Sequence, residues 1–176
     1  MYNVIVLAEQ AMSPGDATEV VSLHDAIEDE RHYHVLIPCE DASARVETAL
    51  GSLGATESLT GSGTATSPSG IDAAQHDLDH EAQDAVATSI SALETLHHRA
   101  TGQYSHDDPI ETLDQIVAAE HADEVIVMTR PHVVQEFFHV DWTSKARRRL
   151  GVPVLHLIEH EPLEAEAGPP EGIIGV

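Results

Sequence analysis

The sequence predicts one α/β domain built on a short parallel β-sheet. Continuous apolar runs that are typical of strands alternate with stretches in which apolar residues recur every three or four positions, as they do in helices. Within each predicted strand the apolar residues are continuous and do not alternate with polar ones, as expected of strands that are covered on both faces of the sheet. This order predicts parallel pairing with right-handed crossovers, and the chain of 176 residues is long enough for one such domain.

The first half of the chain contains two predicted strands around one helix. Residues 3–8 form a β-branched run, which the turn-rich residues 13–16 end. Apolar residues then recur at helical spacing, and we expect the helix to end near Arg31. His24 lies on its apolar stripe and is interpreted as a packed core residue. Residues 34–38 form the second predicted strand.

Residues 39–70 are the least regular part of the sequence. Residues 42–53 could form a helix, whereas residues 60–70 are rich in Gly, Ser and Thr and are predicted to be a mobile loop. We therefore predict a domain over residues 1–160 with an irregular insertion at 39–70. The tail at 161–176 is rich in Pro, Gly and Glu and is predicted to be disordered.

The second half begins with the longest predicted helix, over residues 71–100, and a weakly indicated strand at 102–106. Asp108 then precedes Pro109, and Glu111 follows three residues after Asp108. This combination of cap, proline and acid predicts a helix start.

Two further strands close the predicted sheet. Residues 124–128 form a continuous apolar run, and residues 153–158 form the last strand. Between them, Asp141 can cap a helix over residues 142–150, which Gly151 ends.

Three segments of the second half recur at a familiar spacing: DPIETL at 108–113, ADEVIVM at 122–128 and GVPVL at 151–155. They resemble the helix start, fourth strand and closing strand of the universal stress protein family. The resemblance covers about a third of the chain, residues 107–158. It implies a five-stranded parallel sheet of order 3-2-1-4-5 with helices on both faces.

Many universal stress proteins bind ATP through a G-x-x-G-x9-G-[S/T] motif after the fourth strand. The corresponding residues 131–141 contain no glycine, and a carboxylate at Asp141 would repel a phosphate. Glu9 matches the acid that the family carries at the end of its first strand. The resemblance therefore implies a divergent member with a degenerate nucleotide site, and we predict no bound cofactor.

A ligand crevice in an open parallel sheet lies at the carboxyl ends of the strands that flank the switch in strand order, here the first and the fourth. Polar residues follow both strands, and Arg130 has the geometry to hold a carboxylate or phosphate. We predict a cleft for a small anionic metabolite, although the same residues could be ordinary polar loop residues. The predicted cleft residues are Glu9, Gln10, Ser13, Thr129, Arg130 and His132.

The charge of the chain argues against several classes of partner. A formal net charge of −23 would repel nucleic acids and anionic membranes. No apolar run approaches the roughly 20 residues of a membrane span, and the first residues lack a signal-peptide pattern, so we expect a cytoplasmic protein. Five of the eight basic residues cluster in one stretch. They could interact with the C-terminal dipole of the last predicted helix and with acidic neighbours, or Arg130 could bind the ligand of the cleft while the others support it at long range. They are Arg130, Lys145, Arg147, Arg148 and Arg149.

The sequence offers little evidence for a metal site or for an enzyme motif. His76 and His80 are four residues apart, but on an exposed helix face and without an obvious third histidine, so we assign no metal. Cys39 is the only cysteine, which excludes an intrachain disulfide, and it is interpreted as a small buried residue at a strand end. The sequence contains no known hydrolase, P-loop or dinucleotide motif.

Two functions remain open. The resemblance favours a non-enzymatic, small-molecule-binding or regulatory protein of the stress response. The alternative is a structural or interaction module that acts as a homodimer without a small ligand. Either would dimerise through the predicted edge strand Val154–Ile158, as family members do. His156 and His160 alternate onto one face of this edge, where protonation at about pH 6 could tune the interface.

Overall fold

The computed structural model describes residues 1–42, 68–129 and 148–158, and it confirms the predicted five-stranded parallel sheet. The strand order is β3-β2-β1-β4-β5, which is the order that the resemblance implies. In the described part of the chain, no helix is long and apolar enough to cross a membrane. The strands are β1 (Tyr2–Ala8), β2 (Arg31–Pro38), β3 (Arg99–Ser105), β4 (Glu124–Thr129) and β5 (Val154–Ile158). The helices are α1 (Pro14–Ser22), α2 (Pro68–Thr95) and α3 (Pro109–Glu120).

Helices cover both faces of the sheet, as predicted. Successive strand residues point to opposite faces, so Val4 and Val6 pack with α1 and α2, whereas Ile5 and Leu7 pack with α3. Val4, Ile5 and Val6 are at most 1% exposed. Each face therefore has its own apolar core, and both cores share the central strand β1.

The first helix is shorter than predicted. It ends at Ser22, and the backbone continues in tight turns in which His24, Asp25 and Ile27 each donate to the carbonyl three residues earlier. These turns keep the three-residue spacing of apolar positions, which explains why the pattern resembled a longer helix. His24 is 2% exposed, as predicted, and its Nδ1 lies 3.2 Å from the Tyr33 hydroxyl.

The long helix α2 begins and ends earlier than predicted. It starts at Pro68, inside the predicted loop, and a proline is well tolerated in a first helical turn. It does not extend to residue 100, because His97 has a left-handed φ of 64° and the chain then enters β3. Arg99 and Ala100 pair with β2, so the weakly indicated strand is real and longer than predicted.

The start of α3 confirms the predicted cap. Asp108 Oδ1 accepts hydrogen bonds from the backbone N–H groups of Ile110 and Glu111, both at 3.0 Å. Gly151 has a φ of 68° directly after a helical turn at 148–150, as expected of a helix stop. The predicted helices at 42–53 and 142–150, apart from their terminal residues, and the tail lie outside the described residues.

Gly102 allows β3 to approach its neighbours closely. A Cβ at this position would lie 2.8 Å from the Val35 carbonyl oxygen and 3.1 Å from Val86 Cγ1. The first of these contacts is with backbone, which cannot move without disturbing the β2–β3 pairing.

We expect Gly102→Ala to lower the free energy of unfolding by about 1–3 kcal/mol, as overpacking does. Gly15→Ala is the matched control, because its Cβ would meet only Ser13 Oγ at 3.5 Å. Urea unfolding of the two variants and the wild type measures the difference. Equal stability of both variants would contradict the close approach.

His34 is a buried histidine in β2. It is 8% exposed, and its Nδ1 lies 3.0 Å from the Thr101 hydroxyl, which also contacts His32 Nε2. Burial lowers the pKa of His34, an effect that His32 reinforces and Glu120 opposes. The folded protein therefore favours the neutral imidazole.

We expect the free energy of unfolding to decrease as the pH falls below about 6.5, because the unfolded chain then binds more protons than the folded chain. The stabilisation from neutral His34 is complete above that pH and is lost on acidification. His34→Gln should make the decrease between about pH 7 and pH 5 smaller. His80→Gln, an exposed change on α2, is the control, and equal pH dependence of the two variants in urea unfolding would refute this role.

Candidate functional site

The switch in strand order lies between β1 and β4, which are neighbours in the sheet. Ala8 is in register with Met128, so Glu9 and Thr129 follow at the same carboxyl edge. Two of the predicted cleft residues are therefore brought to one place by the register of two parallel strands.

A third polar side chain reaches this place from β5. His156 is in register with Val127, so its side chain lies on the α3 face of the sheet, two positions before the end of β5. Its Nε2 is 2.7 Å from the hydroxyl of Thr129, which is 3% exposed. The hydroxyl and the imidazole form a short hydrogen bond at the sheet edge.

The electrostatics of this group are set by burial. Burial lowers the pKa of His156, and the Glu9 carboxylate opposes this effect only in part. The imidazole is therefore neutral at pH 7. Glu9, Thr129 and His156 are hereafter called the switch-point site. Glu9 and His156 present a carboxylate and a neutral imidazole, while the buried Thr129 hydroxyl is hydrogen-bonded to the imidazole. These groups suit a ligand that carries hydroxyl or amino donors.

His156 is not among the predicted cleft residues. The sequence predicts it at a dimer edge with a pH-dependent role, but burial lowers the pKa of His156, so its protonation requires a more acidic pH than that of an ordinary histidine. The signal that identifies it is the strand register, which the sequence does not give. His160 lies outside the described residues.

The loop after β1 is held in place by helix capping. Ser13 Oγ donates to Asp16 Oδ2 at 2.6 Å, while the N–H of Asp16 donates back to Ser13 Oγ at 3.1 Å. Met12 N–H donates to Ser89 Oγ on α2 at 2.9 Å. The hydroxyl of Ser13 therefore serves the start of α1, and Gln10 is the exposed residue of the loop.

The remaining predicted residues of the cleft, Arg130 and His132, lie outside the described residues, as do Lys145 and Arg147. Arg149 Nε lies 3.3 Å from Asp114 Oδ2 on α3. For this member of the basic cluster, pairing with an acidic neighbour is confirmed. A shallow cavity of about 560 Å³ beside it is lined by Asp108, Ile110, Arg148 and Arg149.

A second group of polar side chains lies at the carboxyl ends of β2 and β3. Cys39 Sγ donates to Asp79 Oδ1 at 3.6 Å, and His106 Nε2 lies 3.2 Å from the same oxygen. Cys39 is 8% exposed, and burial, reinforced by Asp79, raises the pKa of its thiol to about 11. The predicted burial of Cys39 is therefore confirmed, and its protonated thiol is a poor nucleophile.

Solved structures resemble this chain over most of its length. The hypothetical protein MJ0577 has a TM-score of 0.60 at 13% identity, with 91% of this chain and 97% of that one covered. A universal stress protein family protein from Arabidopsis thaliana with AMP bound has a TM-score of 0.54 at 12% identity, with 97% of both chains covered. The universal stress protein UspA from Lactobacillus plantarum has a TM-score of 0.53 at 13% identity, with 89% and 97% covered.

No protein-family model and no curated protein sequence matches the chain. At these identities the structural likeness establishes the fold, and it agrees with the three segments that the sequence shares with the family. The chain has the α/β fold of the universal stress proteins.

Proposed function

We propose that the protein binds a small polar metabolite at the switch-point site and does not act as an enzyme. The observation that supports this is the convergence of Glu9, Thr129 and His156 at the carboxyl ends of β1 and β4 and on β5. Parallel sheets of this class bind ligands at that position. The structural likeness to a protein with bound AMP makes nucleosides and nucleotides the first class to examine.

The chemistry of the site favours ligands with little negative charge near Glu9. Its carboxylate accepts hydrogen bonds from hydroxyl or amino groups and repels phosphates, and the formal net charge of −23 adds to this repulsion. Residues 131–141 supply no glycine for a phosphate loop. We therefore propose a nucleoside or nucleoside monophosphate in preference to ATP, with Arg130 as the predicted partner of a single anionic group.

Adenosine and AMP should raise the melting temperature, by an amount equivalent to about 2.7 kcal/mol at 100 times the dissociation constant, whereas ATP should not. Glu9→Gln should weaken adenosine binding by about tenfold or more, because hydrogen bonds to a charged acceptor are lost. Glu28→Gln is the control, since Glu28 is exposed between α1 and β2 at the opposite edge of the sheet.

Calorimetry gives the affinities for both variants. Micromolar affinity for ATP, or equal adenosine affinities for Glu9→Gln and Glu28→Gln, would refute the proposed site.

The second candidate function is a homodimeric interaction module, and the exposed end of β5 favours it. Among the described residues this strand is the last in the sheet, and Ile158 at its end is 48% exposed. A second copy of the chain packed along β5 would cover this exposed apolar side chain.

Light scattering at micromolar concentration should give twice the chain mass of 18.9 kDa. Ile158→Lys should shift the protein toward monomer, because it places a charge in the paired edge. Leu23→Lys is a matched control, since Leu23 is 44% exposed after α1 and away from β5. A monomeric wild type at this concentration would exclude the dimer.

A further inference from the structure

Three side chains with different metal-binding chemistries converge away from the switch-point site. Cys39 follows β2, Asp79 lies within α2, and His106 follows β3. Their thiol, carboxylate and imidazole atoms all lie within 4.8 Å of one another. In the residues that the structure describes, this is the one such group of three or more potential metal ligands.

The spacing of these atoms fits a tetrahedral zinc ion. Zinc binds thiolate sulfur at about 2.3 Å and imidazole nitrogen or carboxylate oxygen at about 2.0–2.2 Å. A tetrahedron of these bond lengths has a sulfur–oxygen edge of about 3.6 Å and an oxygen–nitrogen edge of about 3.4 Å. The corresponding distances here are 3.6 Å from Cys39 to Asp79 and 3.2 Å from Asp79 to His106.

The third edge, between Cys39 Sγ and His106 Nε2, is at most 4.8 Å, against about 3.6 Å in the tetrahedron. The His106 side chain is 44% exposed, so a small rotation of an imidazole on the surface can close this gap. The thiol is buried, whereas the Asp79 carboxylate and the His106 imidazole both reach solvent, so an ion has a path of entry.

The surroundings of the cluster are negatively charged and ordered. Asp79, Glu40 and Glu81 place their charges around the thiol, which favours a divalent cation. Gln75 donates from Nε2 to Asp79 Oδ1 at 2.9 Å and accepts at Oε1 from the backbone N–H of Ala42 at 2.8 Å. Gln75 thus orients the carboxylate as outer partners of metal ligands do.

We propose that Cys39, Asp79 and His106 bind a Zn²⁺ ion. On binding, the thiol of Cys39 releases its proton to solvent and the sulfur becomes a thiolate ligand. Asp79 and His106 supply one oxygen and one nitrogen, and the fourth position of the tetrahedron is open to water. Thiolate, imidazole and carboxylate together select zinc over magnesium or calcium, which prefer oxygen ligands alone. The ion would link the ends of β2 and β3 to α2.

The experiment uses Co²⁺ as a spectroscopic substitute for zinc in the full chain, after treatment with a chelator. Cys39 is the only cysteine, so a thiolate-to-cobalt charge-transfer band in the near ultraviolet can come only from this residue. We expect the band to saturate at one Co²⁺ per chain and to disappear when Zn²⁺ is added. The 13 histidines and 31 acidic residues of the chain can bind metal adventitiously, but they cannot produce this band.

Three variants assign the ligands. Cys39→Ser should abolish the band and weaken zinc binding by at least 10- to 100-fold, the range known for loss of an outer-shell partner. His106→Gln should also weaken binding at least tenfold. Because His106 lies at the surface, this change tests the site even if Cys39→Ser impairs folding. His80→Gln is the matched control, since His80 is exposed on α2 and contacts His76; it should leave both affinity and band unchanged.

Several results would overturn the proposal. These are the absence of the band in the wild type, saturation at half an equivalent, and zinc affinity that His106→Gln leaves unchanged. Loss of affinity in His80→Gln instead would assign metal binding to the His76 and His80 pair.

Discussion

The rest of the structure depends on the central strand β1, which is buried on both faces and paired on both edges. Its residues alternate between two cores, and Ile5 and Val6 are fully buried on opposite sides of the sheet. Pairing with β2 on one side and β4 on the other fixes the register of both halves of the chain. A shift of one residue in either pairing would turn apolar side chains toward the wrong face, so register and core specify each other.

This register also determines the chemistry at the carboxyl edge. Because Ala8 is opposite Met128, Glu9 and Thr129 leave their strands side by side, and the β4–β5 register adds His156. No motif in the sequence joins these three residues. The loop after β1 is held where it enters α1, by the capping of Ser13 with Asp16 and by the hydrogen bond from Met12 N–H to Ser89. The site is thus positioned by the pairing of β1, β4 and β5.

The sequence predicts the continuously buried strands clearly, but it gives only a weak signal for β3 and misplaces several helix ends. The buried runs of β1 and β4 are evident, whereas β3 is an edge strand with alternating exposure, and its signal is weak. The helix ends are misplaced where tight turns preserve helical spacing, as at His24, or where a left-handed residue ends the helix, as at His97. The ends of the predicted strands identify Glu9 and Thr129 as site residues, whereas His156 can be identified only from the register between β4 and β5.

The cluster of Cys39, Asp79 and His106 could not be predicted from the sequence at all. Cys39 and Asp79 are 40 residues apart, and no local spacing relates them, so their meeting depends on how α2 packs against β2 and β3. Cys39 packs in the core shared with α1 and α2, whereas Thr129 and His156 lie on the face covered by α3. The two sites therefore lie on opposite faces of the sheet, both near the carboxyl ends of its strands. Hydrogen-bonding groups at the switch-point site can select a ligand, while the thiol-containing cluster can fix the ends of β2 and β3, and neither role requires residues of the other.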